Sequence, residues 1–157
     1  MDIFTEWQRD STELRWRSTT AANEGQEVTI FSRRCGTPGA PALVLVHGFP
    51  TSSIDYFALA RALDAEFDIY LLDFPGHGLS DKPPEPYVYS LYDDAKLLVH
   101  AITQVWALTD YRMLTHDRGT SKLSQGPSSG TNMVEIERWT EPLPPVRAFE
   151  PPPIVRS

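Results

Sequence analysis

The sequence predicts an α/β protein, a parallel sheet with crossover helices. Two observations carry that prediction: short apolar runs of the kind buried on both faces of a parallel sheet, and helix-spaced segments between them. Strand, helix, strand, helix and strand in that order imply right-handed crossovers.

Residues 27–34 (EVTIFSRR) read as the first strand, closed by the turn residues Gly36, Pro38 and Gly39. Ala42–Val46 (ALVLV) is wholly apolar, as a doubly covered strand requires. Residues 53–65 form a helix candidate, with Phe57, Ala60 and Leu63 spaced for one face. Residues 67–72 (FDIYLL) are the next strand, ending at Asp73. The clearest helix starts at Ser90, with Asp93 three positions on as a capping-box variant. Leu91, Ala95, Leu98, Val99, Ile102, Val105 and Trp106 follow at helical spacing. Residues 111–114 are a short strand leading into Thr115-His116-Asp117-Arg118-Gly119.

This periodicity ends near Ser121, and composition changes there too. Seven of the 14 prolines lie in the last 36 of 157 residues, and the first 121 carry the whole net charge of −7. We therefore expect a folded region over residues 1–121 and a Pro-rich, disordered tail, unrelated to the fold, over residues 122–157. In that tail Pro142-Leu143-Pro144-Pro145-Val146-Arg147 fits P-x-x-P-x-R, a pattern read by SH3-type grooves, against the plainer reading of a nonspecific tail.

Fourteen basic against 21 acidic side chains disfavour attraction to nucleic acid or anionic lipid. No apolar run approaches the roughly 20 residues needed to span a bilayer, and the amino terminus is too polar for a secretory signal. A single cysteine, Cys35, excludes an internal disulfide and fits a reducing compartment. The expectation is a cytoplasmic protein with no nucleic-acid or membrane partner.

In such sheets, sites gather where loops leave the carboxyl ends of the strands. Three loops qualify: His47-Gly48-Phe49-Pro50, the stretch from Asp73 to Ser80 (DFPGHGLS), and Thr115-His116-Asp117-Arg118-Gly119. Their order, with strand and helix patterns between them, resembles the amino-terminal part of the α/β-hydrolase fold from about Phe31 to Ser121. The similar branch holds epoxide hydrolases, haloalkane dehalogenases and mesoderm-specific-transcript-like proteins. The resemblance implies a partial hydrolase fold, hydrolysis of a small molecule with water and no metal or organic cofactor, and an oxyanion amide at Phe49 supported by His47, Gly48 and Pro50. It gives the DFPGHGLS loop a structural role only.

A nucleophile elbow needs small residues two positions either side of its centre. Asp117 has Thr115 and Gly119 there; Ser121 has Gly119 but Leu123, which breaks the pattern. Asp117 is therefore the nucleophile candidate, with His116 beside it and Arg118 offering the second oxyanion amide. An aspartate attacking carbon gives an ester that histidine-activated water hydrolyses. Phe49 and Arg118 occupy the positions where dehalogenases of this branch bind halide, and neither suits that task, so epoxide opening is favoured.

The family also has a helix after the elbow, further strands, a cap, a second acid and a late histidine. This chain's histidines are His47, His77, His100 and His116, and none follows Asp117. The resemblance thus implies a truncated form, inactive on its own. The alternative is a non-catalytic fragment or an interaction protein working through its P-x-x-P-x-R tail. A sheet edge left open beside residues 111–114 would favour self-association.

Plainer readings apply elsewhere. His47 and His116 have no metal-ligand spacing and read as loop residues, His77 as a turn residue, and His100 as a packed boundary histidine. Cys35 has no activating neighbour. Asp93 and Asp94 suit the positive end of a helix dipole rather than an acid–base pair.

Overall fold

Apolar strands must be covered on both faces, and this chain covers them with helices on either side of a five-stranded sheet. The computed structural model describes residues 2–115. The expectations placed on residues 116–157, which include His116, Asp117, Arg118, Gly119 and the Pro-rich tail, lie outside the described residues. In chain order the elements are α1 (Ile3–Gln8), β1 (Ser11–Arg17), a 3-10 turn (Ala21–Asn23), β2 (Glu27–Gly36) and β3 (Ala42–Val46). A second 3-10 turn (Ser53–Tyr56) runs into α2 (Phe57–Leu63), followed by β4 (Asp68–Leu72), α3 (Leu91–His100), a π-helical turn (Ala101–Val105) and β5 (Arg112–Thr115).

The strand order is β1-β2-β4-β3-β5. The expected parallel sheet forms the core, and antiparallel strands extend it at one edge. β3 pairs in parallel with both β4 and β5, but β2 is antiparallel to β1 and to β4. The link from β1 to β2 holds only a 3-10 turn, too little for the crossover that parallel pairing demands, so the two strands fold back on each other. α1 and β1 extend the fold beyond the expected elements. Asp2 caps α1 by accepting from the Phe4 and Thr5 N–H groups, each at 3.0 Å.

Alternation along the strands divides the core in two. Val44, Val46, Tyr70 and Leu72 pack with Leu97, Leu98, Ala101 and Ile102 of α3 and its π-turn. Leu43, Leu45, Ile69 and Leu71 pack with Trp7 of α1, Tyr56 of the second 3-10 turn and Ala60 of α2. Since α2 and α3 lie on opposite faces and carry the chain to opposite sides of β3, the connections reverse at that strand. The carboxyl end of β3 is therefore the switch point at which such sheets open a crevice.

Two details at α3 differ from the expectation. Ser90 caps the helix through the Tyr92 N–H at 3.3 Å, while Asp93 does not close a capping box. Its carboxylate turns inward, accepting from Trp16 Nε1 at 3.2 Å and from the Thr19 N–H at 3.1 Å. The π-turn, closed by Trp106 N–H to Ala101 O at 2.8 Å, widens the spiral and shifts its phase. Val105, expected on the buried stripe, is consequently 47% exposed.

Candidate active site

The chain leaves β3 at His47, whose ring is fully buried. Its Nε2 accepts the Phe74 N–H at 3.0 Å, so in the neutral ring the proton sits on Nδ1, which donates to the Gly48 carbonyl at 2.8 Å. His47 thus fastens the loop after β3 to the loop after β4, with both ring nitrogens engaged. Gly48 is buried, while Phe49 reaches out with 56% of its surface exposed.

The β4 loop is organised by Asp73, the residue that follows the strand. Asp73 is buried; its Oδ1 accepts the Ser53 N–H at 2.7 Å and its Oδ2 the Leu79 N–H at 2.8 Å. Ser80 donates from Oγ to the Asp73 carbonyl at 2.5 Å and accepts the Phe31 N–H at 2.8 Å, fixing the loop to β2. Gly78 has φ +47°, and a Cβ there would overlap the Asp73 carboxylate, so the loop needs glycine at this position. An acidic residue closing an apolar strand, with glycines three and five positions later, was the available sequence signal.

Between these loops and the start of α3 lies a cleft of about 410 Å³. Gly48, Phe49, His77, Tyr89, Leu91 and Asp94 are among the residues that line it. A Cβ on Gly76 would come within 2.7 Å of the Tyr89 ring, so that ring packs against the loop only because residue 76 is glycine. The Tyr89 hydroxyl donates to Pro83 O at 2.8 Å, and burial pushes its pKa above the usual phenol value.

The structure brings His47, Gly48, Phe49 and Pro50 together at the carboxyl end of β3, with His77 beside them: its ring lies 5.2 Å from His47 and 6.1 Å from Phe49, centre to centre. Thr115, the last described residue, pairs with Val46 across the β3–β5 ladder. His100 is a packed boundary residue, its ring 5.5 Å from Trp16. Burial pushes the Cys35 thiol pKa up, away from thiolate reactivity. Among the described residues no cluster of three or more His, Cys, Asp or Glu side chains could hold a metal, and no helix is long and apolar enough to cross a membrane.

Comparison with known proteins agrees with this architecture. The sequence model of the alpha/beta hydrolase fold family matches residues 41–120, and the chain belongs to that family. The human mesoderm-specific transcript homolog protein is 41% identical over 109 residues, covering 66% of this chain and 32% of that protein. An alpha/beta hydrolase fold protein from Burkholderia ambifaria superposes with a TM-score of 0.54 at 32% identity, over 60% of this chain and 33% of the other. A candidate epoxide hydrolase from Pseudomonas aeruginosa shares the fold at TM-score 0.56 and 20% identity, over 74% of this chain and 36% of the other. The chain spans about a third of the length of the curated relatives it matches.

Proposed function

We propose that the chain carries the first part of an epoxide-hydrolase-like active site, with Asp117 as nucleophile toward a small-molecule C–O bond. In this reading the Asp117 carboxylate attacks a ring carbon of an epoxide, the C–O bond breaks, and the oxygen leaves as an alkoxide that takes a proton. An alkyl ester of Asp117 remains. The backbone N–H groups of Phe49 and Arg118 serve the oxyanion formed when water attacks that ester.

The observation that supports this most is the pairing of Val46 with Thr115. β3 and β5 end on the same rung, at the end of the sheet that carries Phe49, which supports reading the elbow two residues beyond Thr115. The fixed His47-Gly48 turn adds a second support, since an oxyanion amide works only when held in advance of the reaction.

Ester hydrolysis additionally needs a base. Both nitrogens of His47 are engaged, His100 packs on Trp16, and no histidine follows Asp117 in the 157 residues. In this reading His77 and His116 do not take the base's role, and the ester accumulates. Incubation with styrene oxide, followed by intact mass and diol yield, tests this. We expect one adduct, mapped to Asp117 and lost in Asp117→Asn, with no sustained turnover. Many turnovers abolished by Asp117→Asn would overturn the stalled ester. Neither adduct nor diol would overturn the nucleophile reading and leave a catalytically empty fragment.

A further inference from the structure

We propose that His77 is the specificity-determining residue of the cleft: its Nε2 is a fixed hydrogen-bond acceptor that selects ligands carrying a hydroxyl or N–H donor on a flat apolar body. Nδ1 of His77 lies 3.1 Å from the Pro75 carbonyl. A carbonyl oxygen can only accept, so in the neutral ring Nδ1 holds the proton and Nε2 keeps its lone pair. Among the described residues Nε2 has no partner, and the ring lines the cleft beside Phe49.

The ring is also held in place. The His77 N–H donates to Phe74 O at 3.0 Å and its carbonyl accepts the Ser80 N–H at 3.1 Å, within the loop that Asp73 organises. An acceptor oriented before binding loses little entropy when a ligand arrives.

The remaining chemistry of the cleft narrows the ligand. Lys82 donates its ammonium to Gly78 O at 2.7 Å and Ser80 O at 3.1 Å, and the Tyr89 hydroxyl donates to Pro83 O. Two N–H groups of the Lys82 ammonium and the Tyr89 O–H thus already reach the protein's own carbonyls. Beside them His77 Nε2 offers an acceptor next to the apolar surfaces of Phe49, Tyr89 and Leu91. About 410 Å³ suits a two-ring compound. A ligand matching these features has a planar hydrocarbon body and one donor.

This inference rests on reading the cleft as the substrate side of the hydrolase site, but not on Asp117. The test titrates the 157-residue chain with 2-naphthol and its near-isostere 2-methylnaphthalene, following intrinsic fluorescence and the imidazole 15N resonances of His77. Wild type should bind 2-naphthol about tenfold tighter, the effect of one net hydrogen bond. Nε2 should move on binding while Nδ1 stays. His77→Phe should erase the preference without weakening 2-methylnaphthalene, and His77→Gln, which retains an acceptor, should keep part of it.

Equal affinities in wild type, binding of neither probe, or a preference surviving His77→Phe would overturn the proposal. So would a preference lost in Asp94→Asn, which would assign the selection to Asp94. Should His77→Phe not fold, the ligand pair on wild type and His77→Gln still decides. A naphthol preference without an Asp117 adduct sinks the nucleophile and keeps His77, whereas an adduct without the preference does the reverse.

Discussion

His47 accepts the backbone N–H of Phe74 at 3.0 Å, a bond that ties the loop after β3 to the loop after β4. Both residues are fully buried, so water does not replace the contact when it is cut. His47→Ala removes the acceptor and leaves a void under the Gly48 turn, which together should cost about 2–4 kcal/mol. Urea unfolding measures it. A change below about 0.5 kcal/mol would show that the two loops hold their positions without this bond.

Asp73 and Gly78 form a second pair whose effects should not add. Asp73→Ala leaves the buried Ser53 amide without its acceptor, a loss of about 1–3 kcal/mol. Gly78→Ala drives a methyl into the Asp73 carboxylate and should be comparably damaging. In the double variant that clash is gone, so the combined loss should fall short of the sum by at least about 0.5 kcal/mol. Strict additivity in a double-mutant cycle would mean that the damage at Gly78 comes from its left-handed backbone and the contact with Ser52 Cβ, not from Asp73.

A third expectation concerns acid. Arg34 grips Asp68 with a forked pair of bonds at 2.8 and 2.6 Å, and the Gly39 N–H and Tyr70 hydroxyl donate to the same carboxylate. Chiefly through Arg34, these hold the Asp68 pKa below the ordinary 3.8. A carboxylate with a depressed folded-state pKa stabilises the fold above its unfolded value, and that contribution is lost as pH falls through the folded value. Stability should therefore drop more steeply below about pH 4 in wild type than in Asp68→Asn, which has no proton to take up. Parallel acid limbs in chemical denaturation would contradict this.

The strands with strong apolar signals, β3 and β4, are where the sequence places them, because burial on both faces leaves little room for polar residues. β1 escaped notice for the opposite reason. It is an edge strand in which only Leu14 and Trp16 turn inward, and its charged residues Glu13, Arg15 and Arg17 face out. The antiparallel setting of β2 was not legible either, since composition reports how deeply a strand is buried and not which strand lies beside it. At the site, the loop from His47 to Pro50 was readable as a motif. The roles of Asp73 and His77 were not, because each depends on backbone groups that the turn brings round: Ser53 and Leu79 for one, Pro75 for the other.

The inward turn of Asp93 separates two ways in which α3 is anchored. Read as a helix start, Ser90 and Asp93 should matter alike, each worth the roughly 1 kcal/mol of a cap. In the structure they differ. Ser90 Oγ accepts one amide at an accessible helix end, whereas Asp93 is buried and satisfies the indole N–H of Trp16, itself buried, and the Thr19 amide. Asp93→Ala should therefore cost about 2–4 kcal/mol, because it strands a buried donor between β1 and α3, and Ser90→Ala only about 1 kcal/mol. Asp93→Asn, which keeps one carbonyl oxygen, should fall between them. Thermal or urea unfolding of the three variants decides the matter, with Trp16 fluorescence reporting on the indole environment. Equal losses at Ser90 and Asp93 would mean that the capping role governs both residues and that the bond to Trp16 contributes nothing.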